Sequence, residues 1–85
     1  MSAALFEFAR SFVVGRLSAE IFSSAYMELW KIERDRGFLQ KDDSELNEKL
    51  SSIFCLADLY NPDPDREGYE LDEESLRIKI TQIVG

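Results

Sequence analysis

Apolar residues recur at helical spacing in three successive stretches of this chain, and a glycine or a proline pair closes each stretch. That pattern leaves little choice of fold. Leu5, Phe8, Ala9, Phe12 and Val13 follow i, i+3, i+4, i+7 spacing and Gly15 ends the run, which predicts a first helix over roughly residues 3 to 15. Ser18 can cap a second helix, with Glu20 in its first turn complementing the helix dipole. Phe22, Ala25, Tyr26, Leu29 and Ile32 or Glu33 carry its stripe towards Gly37, and Trp30, one position off that stripe, is expected to be partly exposed. The cluster Lys41-Asp42-Asp43-Ser44 offers N-caps for a third helix, and Asp42 with Glu45 has the spacing of a capping box. Leu46, Leu50, Ile53, Phe54, Ala57 and Tyr60 form the stripe of this helix, about 44 to 60, which must stop there because Asn61 precedes Pro62 and Pro64 follows.

The last stretch is ambiguous. Leu76, Ile78 and Ile80 alternate as in a strand, whereas Leu76, Ile80, Ile83 and Val84 fit a helix. Helix is the better choice, since Asp72 can cap it, Glu73 and Glu74 suit its first turn, and a lone strand would have no partner. The expected fold is therefore all-α, an antiparallel four-helix bundle forming a single domain over residues 1–85. A chain of this length buries only about 60–65% of its unfolded surface, which leaves little core around a deep catalytic pocket.

Composition narrows the chemistry. Cys55 is the only cysteine, so no internal disulfide can form, and the absence of histidine removes every zinc site or catalytic dyad that needs imidazole. No enzymatic activity and no cofactor are expected. The N-terminus has no basic leader, and its most apolar run, Leu5 to Val14, is interrupted by Glu7 and Arg10, so neither a signal peptide nor a membrane span is expected and the chain is assigned to the cytoplasm.

Charge is distributed very unevenly. Residues 58–74 hold eight carboxylates against Arg66 alone, while the other 68 residues carry nine acids and nine bases. Such a concentrated field repels itself in the folded state, which calls for a counter-charge from outside: a metal ion or a basic partner.

Three readings of the acidic segment compete. Asp63-x-Asp65-x-Glu67-Gly68 followed by Glu74 has the order of a single EF-hand calcium loop. Against it, Glu67 is long for its position, Glu70 stands where an aliphatic residue belongs, Pro64 stiffens the start, and no second loop exists. Asp43-Ser44 at a helix start suggests an acyl carrier and its phosphopantetheine serine, but the leucine such carriers place next is displaced by Glu45, so Ser44 reads better as a helix cap. The third reading is a decoy. Proteins that act on nucleic acid gather Lys and Arg to meet phosphates, and an acidic patch stiffened by Pro62 and Pro64 could occupy such a site.

The segment Asn61-Pro62-Asp63-Pro64-Asp65-Arg66-Glu67-Gly68-Tyr69-Glu70-Leu71-Asp72 resembles the P-D-x-D-R-x-x-Y-E-L/I-D stretch of the colicin D immunity protein family. Gly15 to Phe22 resembles the start of that family's second helix. The resemblance covers residues 61–72 well and the rest of the chain weakly. It implies a four-helix bundle that binds the C-terminal nuclease domain of a cognate bacterial toxin, one that cuts tRNA, as a 1:1 heterodimer without touching nucleic acid or membrane. Acidic side chains from the third helix end and the following loop would then take the place of RNA phosphate. The positions that match those acids are Asp58 and Asp63; Asn61 departs from the family, which is acidic there. Related proteins serve colicins or contact-dependent growth inhibition.

Asp58, Asp63, Asn61, Asp65 and Tyr60 are accordingly the expected partner-binding residues. Asn61 and Asp65 also suit capping of their own turns beside proline, and Tyr60 completes the third apolar stripe. Asp72 is expected to cap the fourth helix, Arg66 to balance the loop's carboxylates and Tyr69 to pin the loop to the bundle. Cys55 is expected to have no chemical role.

Overall fold

A computed structural model describes residues 2–37 and 44–85 of the chain. Four helices follow in order: α1 (Ser2–Val13), α2 (Ala19–Asp35), α3 (Ser44–Asp58) and α4 (Glu73–Val84). Each runs against the one before it, so the end of α1, the start of α2, the end of α3 and the start of α4 gather at one pole of an antiparallel four-helix bundle.

The end of α1 and the starts of α2 and α4 lie where their sequence directs. The Val13-Val14-Gly15 turn closes α1 in a Schellman arrangement: Gly15 N–H donates to Phe12 O and Arg16 N–H to Ser11 O, both at 3.0 Å. Gly15 takes φ +88°, a left-handed conformation that an L side chain resists. Ser18 Oγ accepts the Ile21 N–H at 3.2 Å to start α2, and Asp72 Oδ1 accepts the Ser75 N–H at 2.8 Å to start α4. Both are the expected N-caps. The capping box proposed from Asp42 lies outside the described residues.

The core draws three side chains from each of the first three helices: Leu5, Ala9 and Phe12; Ala19, Phe22 and Tyr26; Leu50, Ile53 and Ala57. Leu76 and Ile80 of α4, with Leu71 just before it, complete the cluster. Phe12 and Phe22 stack with centroids 4.5 Å apart, and Phe22 leads on to Tyr26 at 5.4 Å. The Tyr26 hydroxyl would be orphaned in that interior, but it donates to Leu50 O at 2.7 Å and so joins α2 to α3. Ile78 is 52% exposed between buried Leu76 and Ile80, which settles the last stretch as a helix.

Two expectations need correction. The α2 stripe runs through Tyr26, half-buried Trp30 and Glu33, leaving Leu29 and Ile32 exposed. Sequence spacing allows either continuation beyond Tyr26. Packing chose the side that faces α3, where the Trp30 and Phe54 rings meet with centroids 4.5 Å apart. The third helix also ends two residues early, at Asp58; Leu59 and Tyr60 are held instead by tighter i to i+3 bonds to Leu56 O and Ala57 O. No helix among the described residues is long and apolar enough to cross a membrane.

Candidate functional site: the acidic loop

The loop between α3 and α4 is sewn to itself by backbone, amide and carboxylate bonds. Leu71 N–H donates to Leu59 O at 2.8 Å and Asn61 N–H to Leu71 O at 2.9 Å, forming a parallel bridge between Tyr60 and Leu71. Leu71 is buried, so this bridge anchors both ends of the loop on the core. Pro62 and Pro64 hold φ inside it.

Asn61 and Glu70 organise the middle. Asn61 Oδ1 accepts the Asp63 N–H at 3.0 Å, the local turn that its place before proline suggests, while its Nδ2 donates to Glu70 Oε1 at 3.2 Å. The same Glu70 oxygen accepts the Glu67 N–H at 2.8 Å. Arg66 spans the base: its Nη1 donates to Asp63 O at 3.1 Å, and its Nη2 lies 3.6 Å from Asp72 Oδ2. Hydrogen bonds from Ser75, helped by Arg66, hold the Asp72 carboxyl below the usual carboxylate range.

These bonds divide the eight acids. Glu70, Asp72 and Glu73 serve the fold, Glu73 by accepting the Ala19 N–H and pairing with Arg77. The carboxylates of Asp58, Asp63, Asp65, Glu67 and Glu74 are exposed and hold no hydrogen bond or ion pair among the described residues. Arg66 therefore does not balance the loop as a whole; it neutralises Asp72 and leaves the outer acids uncompensated.

The expected site residues fall as follows. Asp58 ends α3, and Asp63 and Asp65 follow in the exposed turn, all at the pole where α2 and α4 begin. Asn61 is half-buried and acts within the loop through both polar atoms of its side chain. Tyr60 is half-buried against the core; burial first, then the nearby carboxylates of Glu73 and Glu20, push its phenol above the ordinary tyrosine value. Tyr69 does not pin the loop: it is 69% exposed. The loop is anchored on the core by the Leu71 bridge instead, and its middle is tied together by the neighbouring Glu70.

The arrangement suits a protein partner better than a small ligand. Among the described residues no three His, Cys, Asp or Glu side chains converge as metal ligands would, so Asp63, Asp65, Glu67 and Glu74 do not assemble the calcium cage their order suggests. Of two surface grooves, one is lined by Glu45, Lys49 and Ile83 and the other by Phe8, Ser11 and Leu17; neither takes in a loop residue. Cys55 is a free, exposed thiol on α3.

Over residues 1–85, its whole length, the chain matches the family described as bacterial self-protective colicin-like immunity. No curated protein matches it.

Proposed function

We propose that this chain, which belongs to the bacterial self-protective colicin-like immunity family, binds the C-terminal nuclease domain of a cognate toxin and occupies the basic site that would receive RNA. The target is a tRNA-cleaving domain, as the likeness of residues 61–72 to the colicin D immunity family implies, and the complex is a 1:1 heterodimer in the cytoplasm of the cell being protected. The chain acts by blockade, without catalysis.

One observation carries this reading: among the described residues, the carboxylates of Asp63, Asp65 and Glu67 on the loop, and of Asp58 and Glu74 in the helix ends that flank it, hold no partner, while the loop's own bonds hold its shape. Uncompensated acids on a mobile loop would rearrange around any cation. Held as they are, they present a fixed pattern of negative charge at little ordering cost. Asp58 and Asp63 stand in for phosphate in the toxin's site, Asp65 and half-buried Tyr60 flank them, and Asn61 keeps Asp63 in place. The remaining field accelerates encounter with a basic surface and makes it salt-dependent.

The test is protection of cells and binding in solution. An Asp58→Ala, Asp63→Ala double variant should fold normally yet lose protection, with dissociation from the nuclease domain quickened by about two orders of magnitude. Full protection by this variant would reject the two acids as the phosphate substitutes. Tight binding to a toxin domain that cleaves DNA, or forms pores, would reject the tRNase assignment.

A further inference from the structure

The acidic loop carries an exposed aromatic ring that the fold does not use. Tyr69 is 69% exposed, whereas the other described aromatic residues, from Phe6 to Tyr60, are buried or partly buried. Its backbone lies in a hydrogen-bonded turn. Glu70 N–H donates to Glu67 O at 3.0 Å, closing a tight turn with Gly68 and Tyr69 at its centre. Glu70 Oε1 accepts the Glu67 N–H at 2.8 Å and the Asn61 amide at 3.2 Å, so the turn is locked at both ends.

A ring on a fixed turn loses little freedom on binding, which is the property that makes tyrosine an effective interface anchor. Its surroundings specify the chemistry. The unpaired carboxylates of Asp65 and Glu67 precede it in the same loop, and Arg66 between them is engaged with Asp63 and Asp72. An exposed π face in a stretch of chain that also exposes carboxylates suits a planar cation, which can stack on a ring and donate its N–H groups to acids.

We propose that Tyr69 anchors the docking surface by receiving the guanidinium of an arginine from the partner's basic domain, with Asp65 and Glu67 accepting from the same cation. This rests on the reading that the partner is a basic toxin domain, and it adds a short-range aromatic contact to an interface so far defined by charge.

The experiment measures association and dissociation of the full chain with the C-terminal nuclease domain of its cognate toxin, at two salt concentrations. Tyr69→Ala, Tyr69→Leu and Tyr69→Phe are compared after circular dichroism confirms the fold. Ala and Leu should quicken dissociation about ten- to thirty-fold, Phe should stay within about threefold of the parent, and association should keep its salt dependence in all three. Parental dissociation in the Leu variant would replace the guanidinium contact with plain apolar packing and overturn the proposal. So would parental binding by Tyr69→Ala alongside weakened binding by Asp63→Ala, a result that leaves the toxin reading standing. Self-association of the free chain that disappears in Tyr69→Ala would assign the ring to a second copy instead. A parent chain that fails to bind the domain would reject both this inference and the reading beneath it.

Discussion

The carboxylate of Glu73, the first residue of α4, accepts the backbone N–H of Ala19, the first residue of α2, at 2.7 Å. One acid thereby serves two helix starts, complementing the dipole of its own helix and satisfying an orphan donor of another. Arg77, one turn further on, lies 3.6 Å from Glu73 and donates from Nε to Phe12 O and from Nη2 to Leu17 O, both at 3.2 Å. Its guanidinium also covers the Phe12 ring at 4.5 Å. The end of α1 and the starts of α2 and α4 are therefore tied together beside the acidic loop.

Glu73→Ala should lower unfolding free energy by about 1 kcal/mol through loss of the bond to the Ala19 N–H. Glu73→Gln should lose less, because an amide oxygen can still accept the Ala19 N–H. Arg77→Lys should cost about 1–2 kcal/mol, since an ammonium cannot reach two carbonyls and stack at once. Urea denaturation reads all three. Equal stability of parent and Glu73→Ala would show that the inter-helix bond contributes nothing.

Asn61→Ala should loosen the loop while leaving the bundle folded. Asn61 holds both the Asp63 turn and Glu70, so hydrogen exchange at the Asp63 and Glu67 amides should speed up by at least tenfold, with a global loss of about 1 kcal/mol. Unchanged exchange at these two amides would show that the prolines and the Tyr60–Leu71 bridge suffice.

Tyr26 is expected to contribute to the alkaline limb of stability. Burial, with Glu33 adding to it, raises its phenol well above the ordinary tyrosine value, so the folded chain keeps a proton that the unfolded chain releases as pH rises past about 10. The stability linked to that proton is whole below this pH and falls above it. Tyr26→Phe should cost about 1 kcal/mol at neutral pH through loss of the bond to Leu50 O, yet decline less between pH 10 and 11.5. Parallel pH profiles would assign the alkaline loss to other groups.

Asp72 acts on the acid side with the opposite sign. Its depressed pKa means that its contribution is present above the ordinary aspartate value and is lost as pH falls through the folded one. Asp72→Asn keeps a side-chain oxygen able to cap α4 and removes the titration. Thermal melts between pH 5 and 2 should therefore fall less steeply in this variant than in the parent. An identical slope would exclude Asp72 as a source of acid sensitivity.

Short-range rules carried much of the fold. The stripes of α1 and α3, the Ser18 and Asp72 caps and the Gly15 terminus each depend on residues within one or two turns of one another, and all appear as the spacing directs. At Leu29, which the spacing put on the stripe and the structure leaves exposed, the packing of Trp30 against Phe54 of the neighbouring helix decided. Tyr69 was misplaced for a related reason. An aromatic in a loop has no periodic neighbours to reveal its face, and its exposure follows from bonds made by Glu70 to Asn61, nine residues away.

By itself, the sequence determined three amphipathic helices, the caps of the second and fourth, the glycine that closes the first, and the collection of the chain's net charge between the third and the fourth. Tertiary structure decided which carboxylates remain available. Helix caps and apolar stripes are local, so chain order reveals them. The pairing of Glu73 with Ala19 spans 54 residues and exists only once α2 and α4 have packed. Packing and the loop's own bonds engage Glu70, Asp72 and Glu73 as acceptors, leaving Asp58, Asp63, Asp65, Glu67 and Glu74 exposed with no partner among the described residues.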